Sequence, residues 1–259
     1  FDDSAWKAAD VFSKPEAKLT AQANEPIRVT SEVKPVSVVA AAPGVFVVDF
    51  GQNLPGRVRL KASGPAGTEI VVRHGEVLDS KGRLYTDNLR SAKQTDRFIL
   101  AGDSTELEPR FTYHGFRYAE ITGLPSVSSL ESVVARVFHS DSPQVGAFEC
   151  SSPLLNQLMS NIRWTQYANM MSVPTDCPQR DERLGWMGDA YIFAQTGIYN
   201  LDMAAFLAKW AVDIREAQGP QGQYSDVSPN PVLASNKFTS VPGWGDAGVA
   251  VPWRVYLNY

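Results

Sequence analysis

The sequence predicts two regions of different class, an antiparallel β-sandwich followed by an incomplete α-helical domain. Three observations predict this. Residues 27–139 carry short β-rich runs separated by turn signals, with no helical period between them. After Cys150 the apolar residues recur at helical spacing. The 259 residues, 44% hydrophobic and 20% charged, suffice for a sizeable core in one or two domains.

Within the first region, Val45-Phe46-Val47-Val48-Asp49-Phe50, Arg57-Val58-Arg59-Leu60 and Glu69-Ile70-Val71-Val72-Arg73 are β-rich, two of them partly alternating. Arg97-Phe98-Ile99-Leu100, Phe116-Arg117-Tyr118-Ala119-Glu120-Ile121 and Val133-Val134-Ala135-Arg136-Val137-Phe138 continue the series. Pro43-Gly44, Gly64-Pro65, Gly67, Lys81-Gly82, Ala101-Gly102-Asp103 and Gly123 punctuate it. Phe111, Tyr113, Phe116 and Tyr118 are expected in the core. His74, His114 and His139 show no metal spacing and are expected to be surface or inter-strand residues, with His114 near a domain contact.

In the second region, Ser151-Ser152-Pro153 starts a helix, with a Ser cap and Pro in the first turn. Leu154, Leu155, Leu158, Met159 and Ile162 follow at helical spacing. Ala190, Phe193, Ala194 and Ile198 share a face of a second helix between Gly185 and Asn200; Tyr191 and Ile192 make its other side apolar, so it is expected to be mostly buried. Met203, Phe206, Leu207, Trp210, Ala211 and Ile214 mark a third, ended by Gly219-Pro220. Ala247–Tyr259 is apolar and expected to be helical, with Pro252 near its start and no polar cap after it. Such an ending is expected of a helix that has lost its partners.

Net charge is −4 and the basic residues form no runs, which argues against nucleic acid. No apolar run approaches ~18 residues, which argues against a membrane span. The chain lacks an initiator Met and a leader pattern and is expected to begin inside a longer gene product or after processing, which leaves its compartment open. Cys150 and Cys177 are expected to be free thiols. No motif demands a cofactor or a metal.

Chemistry concentrates in Pro174-Thr175-Asp176-Cys177-Pro178-Gln179-Arg180-Asp181-Glu182-Arg183-Leu184-Gly185-Trp186-Met187-Gly188-Asp189. If that stretch is helical, Glu182, Trp186 and Asp189 share a face, while Asp176 sits on a preceding loop. Close carboxylates push one another's pKa apart, an adjacent arginine holds one ionised, and an indole offers a flat wall to a sugar. This is equipment for acid-catalysed glycosidic cleavage. The competing reading is a solvated mixed-charge face. Flanking Pro, Gly and Trp, and the apolar helices on either side, weigh against it. Cys177 beside Asp176 is expected to have a raised thiol pKa and no nucleophilic role. Pro242-Gly243-Trp244-Gly245-Asp246-Ala247-Gly248 formally matches a dinucleotide fingerprint, but no clear strand precedes it. A sugar platform, or a plain helix start with Asp246 near the cap, suits it better.

These residues resemble the signature of the bacterial α-L-rhamnosidases of glycoside hydrolase family 78. Val48-Asp49-Phe50-Gly51-Gln52-Asn53, Leu84-Tyr85-Thr86-Asp87-Asn88-Leu89-Arg90, Phe111-Thr112-Tyr113-His114-Gly115-Phe116-Arg117-Tyr118 and Gly243-Trp244-Gly245-Asp246-Ala247 are similar to the same family in the same order. The opening Phe1-Asp2-Asp3-Ser4-Ala5-Trp6-Lys7 is similar to the end of an upstream family domain. The resemblance implies a β-sandwich over 27–144, the first part of an (α/α)6 barrel over 145–259, and the end of an upstream domain over 1–26. It implies hydrolysis of terminal α-L-rhamnosides with inversion, by an acid and a separate base ~6.5–9.5 Å apart. By the same resemblance Glu182 is the general acid, and Asp176, Arg180, Trp186 and Asp189 contact rhamnose or support the acid. Trp244 is similar to an aromatic that lines the family's sugar pocket, and Asp181, Arg183 and Asp246 are expected to stand behind these.

The family's base is a later Glu, and no Glu follows Glu216 here. The base and the remaining barrel helices are therefore expected from the rest of the parent polypeptide, and these 259 residues alone are expected to be poorly active. The expected partner is a rhamnose-containing glycoside. Two alternatives stay open: another inverting glycosidase on a helical toroid, or a non-catalytic carbohydrate-binding remnant. A lyase is disfavoured because the helical half has no His.

Overall fold

In a computed structural model of the chain, the described residues are 2–13, 16, 18–232, 238 and 241–259. The described part of 1–26 forms no strand or helix, and Phe1 lies outside the described residues.

Ten strands follow: β1 (Ile27–Val33), β2 (Ser37–Ala42), β3 (Val45–Ser63), β4 (Glu69–Gly75), β5 (Val77–Leu78), β6 (Leu84–Tyr85), β7 (Thr95–Ile99), β8 (Ser104–Leu107), β9 (His114–Thr122) and β10 (Leu130–Ser140). Every pairing is antiparallel. The main sheet runs β1-β10-β3-β9-β4-β7, with β2 and β8 also on β3, while β5 pairs only with β6. The expected sandwich is thus one curled sheet. Its continuity comes from β3, which joins two runs that look separate in the sequence. Gly51 takes φ 72°, and the register against β9 shifts between Asp49 and Leu54, so the strand turns without ending. Phe46, Val48, Phe50, Leu54, Val58, Leu60 and Ala62 keep one face of β3 in the core throughout.

Phe50 and Phe116 meet edge to face at 5.7 Å in that core. Of the other aromatics expected there, Phe111 is fully exposed, because it lies on the loop before β9 rather than on a strand. Tyr113 and Tyr118 are half-buried beneath the guanidinium groups of Arg183 and Arg117.

The histidines correct the surface expectation, since all three are buried. His74 and His114 stack at 4.0 Å, and Asp96 accepts from His114 Nε2 at 3.1 Å. Burial, then the neighbouring His114, push His74 well below its ordinary range. Sequence spacing does not reveal such a cluster because it forms across strands.

Four α-helices are described: α1 (Pro153–Ala168), α2 (Met187–Asn200), α3 (Ala204–Glu216) and α4 (Ala247–Asn258). Ser152 precedes α1 as expected but makes no side-chain cap. Asn156 ties that entrance instead, donating to Cys150 O at 2.8 Å and accepting from Cys150 N at 2.9 Å. α1 lies against the sheet, with Trp164 packed on the β core and Tyr167 stacked on His139 at 4.3 Å. Phe206, Leu207, Trp210 and Ile214 of α3 pack with Met187 and Ile198 of α2 and Val251 of α4. Trp210 donates to Ser228 O at 2.9 Å.

Leu154, Leu155 and Leu158 of α1 are exposed, as are Val249, Trp253, Tyr256 and Leu257 of α4. α2 buries Ala194 and Ile198, but Ile192 is exposed, so its second apolar face is uncovered here. No described helix is long and apolar enough to cross a membrane.

Candidate active site

The chemistry-bearing stretch is a loop. α2 begins only at Met187, so Glu182 is not helical and helical spacing does not bring it to Trp186. Hydrogen bonds do. Leu184 N donates to Asp176 Oδ1 at 2.8 Å and Asp176 N to Leu184 O at 3.1 Å, closing the loop on itself. Trp186 Nε1 then donates to Glu182 Oε1 at 3.0 Å. Arg180 Nε donates to the other oxygen, Oε2, at 2.9 Å, and Arg180 Nη2 lies 3.6 Å from Asp176 Oδ2.

The β half clamps this loop from the other side. Arg90 Nη1 lies 3.2 Å from Glu182 Oε2, and Ser91 Oγ donates to Asp181. Arg183 stacks 4.3 Å over Tyr113 and donates to its carbonyl at 3.1 Å. Pro178 packs on Gly115, where a Cβ would lie 2.5 Å from its ring. Arg90 holds φ 56° and ψ −120°, a backbone conformation that costs of order 1–3 kcal/mol outside glycine.

Trp244 closes one side. Its indole packs on Gly188, where a Cβ would lie 3.0 Å from Nε1, and its ring meets Trp186 at 6.5 Å and 69°. Phe238 meets Trp186 at 5.3 Å. Asp189, exposed in the first turn of α2, borders a cavity of 240 Å³ with Asp176 and Trp186. Asp176, Arg180, Glu182, Trp186 and Trp244 therefore converge, with Asp189 at the margin. Asp181 does not join them, because it is tied to Ser91. Asp246 is exposed where α4 begins and makes no cap bond.

The two carboxylates are driven apart. Burial pushes Asp176 up, with the Glu182 charge adding to it. Burial also pushes Glu182 up, but Arg180, Arg90 and the Trp186 N–H outweigh it and hold the carboxyl below its usual range. The separation is the expected one; its direction leaves Asp176, not Glu182, as the readier proton holder before substrate arrives. Cys177 is buried and free, as is the half-buried Cys150. Burial and then Asp176 push the Cys177 thiol up to about 11.

Among the described residues, two groups have ligand-capable atoms within 4.8 Å of one another, His74–Asp96–His114 and Asp176–Cys177–Glu182. In the second, a cation would compete with the guanidinium groups of Arg180 and Arg90 and meet a protonated thiol. Sequence reasoning gave no role to Arg90 or Ser91. Arg90 lies within a stretch with family resemblance, but its contact depends on two distant segments meeting.

Residues 39–139 match the bacterial α-L-rhamnosidase concanavalin-like domain, and residues 143–259 the bacterial α-L-rhamnosidase 6 hairpin glycosidase domain. An α-L-rhamnosidase of Streptomyces avermitilis is 50% identical over the whole chain, which covers 25% of that protein. One of Formosa agariphila is 38% identical, with 28% of its length covered. The solved Streptomyces avermitilis enzyme complexed with L-rhamnose superposes with a TM-score of 0.91 over 99% of this chain and 25% of its own. Native α-L-rhamnosidase from Aspergillus terreus does so at 0.90 with 42% identity, over 99% of this chain and 30% of its own. The chain thus spans between a quarter and a third of the length of these relatives. It belongs to the bacterial α-L-rhamnosidases of glycoside hydrolase family 78.

Proposed function

We propose that this chain supplies the acid-bearing wall of an active site that hydrolyses terminal α-L-rhamnosides with inversion. The observation that carries the proposal is the Glu182 carboxylate held at once by Trp186, Arg180 and Arg90, beside the Trp186–Trp244 pair. Glu182 is the general acid that protonates the leaving oxygen. Asp176, Arg180, Trp186 and Trp244 contact the rhamnosyl ring or hold the acid, with Asp189 at the margin; Asp181 and Asp246 act from behind. The base is a carboxylate outside these residues, as the family resemblance implies, and it activates water from the opposite face of the ring.

Glu182 must be protonated to act. A bound glycoside supports this by excluding water and by drawing Arg180 onto its own hydroxyls, both of which raise the carboxyl. On this proposal residues 27–144 form a β-sandwich domain made by the one curled sheet, and 145–259 open an (α/α)6 barrel, completed by the rest of the parent polypeptide.

The test is a panel of p-nitrophenyl glycosides with the full-length gene product, the product anomer being followed by NMR. Turnover of the α-L-rhamnoside alone, with inversion, is expected. Equal turnover of another sugar would point to a different glycosidase, and sugar binding without turnover to a binding remnant.

A further inference from the structure

Arg90 touches Glu182 but lines neither cavity beside it. Its Nη1 lies 3.2 Å from Glu182 Oε2. The 240 Å³ cavity at Trp186 and the 380 Å³ cleft that Arg180 lines both exclude it. We propose that Arg90, supplied by the β half, is a positioning residue for the general acid. It orients the Glu182 carboxyl and stabilises the negative charge that Glu182 acquires on giving up its proton. The inference rests on the proposed rhamnosidase reading.

The turn that presents Arg90 is anchored on both sides. Leu89 is buried, Leu89 N donates to Thr86 O at 3.0 Å, and Ala92 N donates to Leu89 O at 3.1 Å. Asn88 donates to Glu76 Oε2 at 3.1 Å, and Asn53 of β3 holds Glu76 Oε1 at 2.8 Å. Ser91 donates to Asp181, the residue before Glu182. Between these anchors Arg90 takes φ 56° and ψ −120°. Backbone strain of this kind persists where the surroundings over-determine it, and it clusters at functional sites.

Charge and geometry give the contact its use. Among the described residues, the charged or titratable groups facing Glu182 are Arg180, Asp176 and Cys177 from its own loop and Arg90 from the β half. Asp181 stands beside Arg90. Both guanidinium groups lie at Oε2, while Trp186 Nε1 donates to Oε1 at 3.0 Å. A proton on Glu182 is therefore directed to Oε1, which keeps a lone pair beyond the indole bond. In the reaction that proton passes to the glycosidic oxygen. The breaking C–O bond leaves its electron pair on that oxygen, and Glu182 is left a carboxylate. A cation already fixed beside the carboxyl that gains charge lowers the barrier to that step. Arg180 also lies 3.6 Å from Asp176, and on the proposed reading it turns to the sugar. Arg90 makes no ion pair besides that with Glu182 among the described residues.

The test is the pH profile of kcat/KM for p-nitrophenyl α-L-rhamnoside in the full-length gene product. Its alkaline limb marks ionisation of the acid in the free enzyme. Arg90 favours the ionised form, so Arg90→Gln is expected to move that limb to higher pH by about half to one pH unit. More than half of the Arg90 side chain is exposed, and solvent screening keeps the shift from being larger. The plateau is expected to fall about three- to tenfold, because the acid is weaker and its product charge less stabilised. Arg90→Lys keeps the charge and is expected to return the limb to within about 0.3 of a pH unit of wild type. A merely structural defect lowers the plateau and leaves the limb in place. An unmoved limb in folded Arg90→Gln would therefore overturn the inference. If Arg90→Gln fails to fold, Arg90→Gly, which suits the positive φ, reads the same limb. An alkaline limb that persists in Glu182→Gln would instead remove Glu182 as the acid. A wild type that turns over no α-L-rhamnoside would overturn the rhamnosidase reading itself.

Discussion

The β half and the helical half solve the same problem to different extents. The β half curls one sheet around one core, and Val48, Ile70, Phe116, Ala119, Ile121 and Ala135 are sealed from solvent. The helical half seals Trp210 and Phe206 but leaves Leu154, Tyr256 and Leu257 more than 60% exposed. An antiparallel sheet satisfies its backbone and buries one face within a single stretch of chain. A helix buries its stripe only against a second element, and a face that meets none keeps its apolar surface open. The loop that carries Glu182 lies on the boundary, where the closed half holds it.

The largest effect that tests this contrast is expected in the closed core. Phe116→Ala is expected to cost about 3–5 kcal/mol, read as faster amide exchange in β4 and β9. A cost below 1 kcal/mol would mean that the sheet does not enclose a packed core. The open faces come next. In the 259-residue chain, Leu158→Ser is expected to change stability by less than about 0.5 kcal/mol. In the full-length gene product, where the proposed barrel would cover the face with further helices, the same change is expected to cost about 2–3 kcal/mol. Equal small effects in both would show that the face stays open.

The smallest effect concerns pH. Folded His74 stays neutral well below its ordinary range, while unfolded His74 binds a proton near ~6.5. The unfolded state therefore holds more protons in that window, and stability falls as pH drops below ~6.5. His139, also held low by burial, acts in the same direction. Protection of the β4 and β9 amides, taken relative to the intrinsic exchange rate at each pH, is expected to fall between pH 7.5 and 5.5, less so in His74→Gln. Wild-type protection equal to the variant's at both pH values would contradict this.

What was legible in the sequence follows from the range of the interactions. Period-2 runs such as Glu69–Arg73 and period-3.6 runs such as Met203–Ile214 are local, and they became strands and helices as expected. The join of Val45–Phe50 to Arg57–Leu60 was hidden, because the residues between the two runs are not β-rich while the sheet carries the strand through them. Convergence of Asp176, Arg180, Glu182 and Trp186 was legible as density of chemistry, but its cause was misjudged. A loop closed by Leu184 on Asp176 brings them together, not a helix face. Arg90 and the stacked His74–His114 pair were illegible because only the folded sheet makes them neighbours.

The most direct test of the central claim is the rate of p-nitrophenyl α-L-rhamnoside hydrolysis by the full-length gene product, wild type beside Glu182→Gln. A fall of ~10²–10⁴ is predicted for loss of a general acid, with the alkaline limb of the pH profile abolished. Full activity in Glu182→Gln, with loss in Asp176→Asn instead, would contradict the account and move the acid to the carboxyl that burial raises.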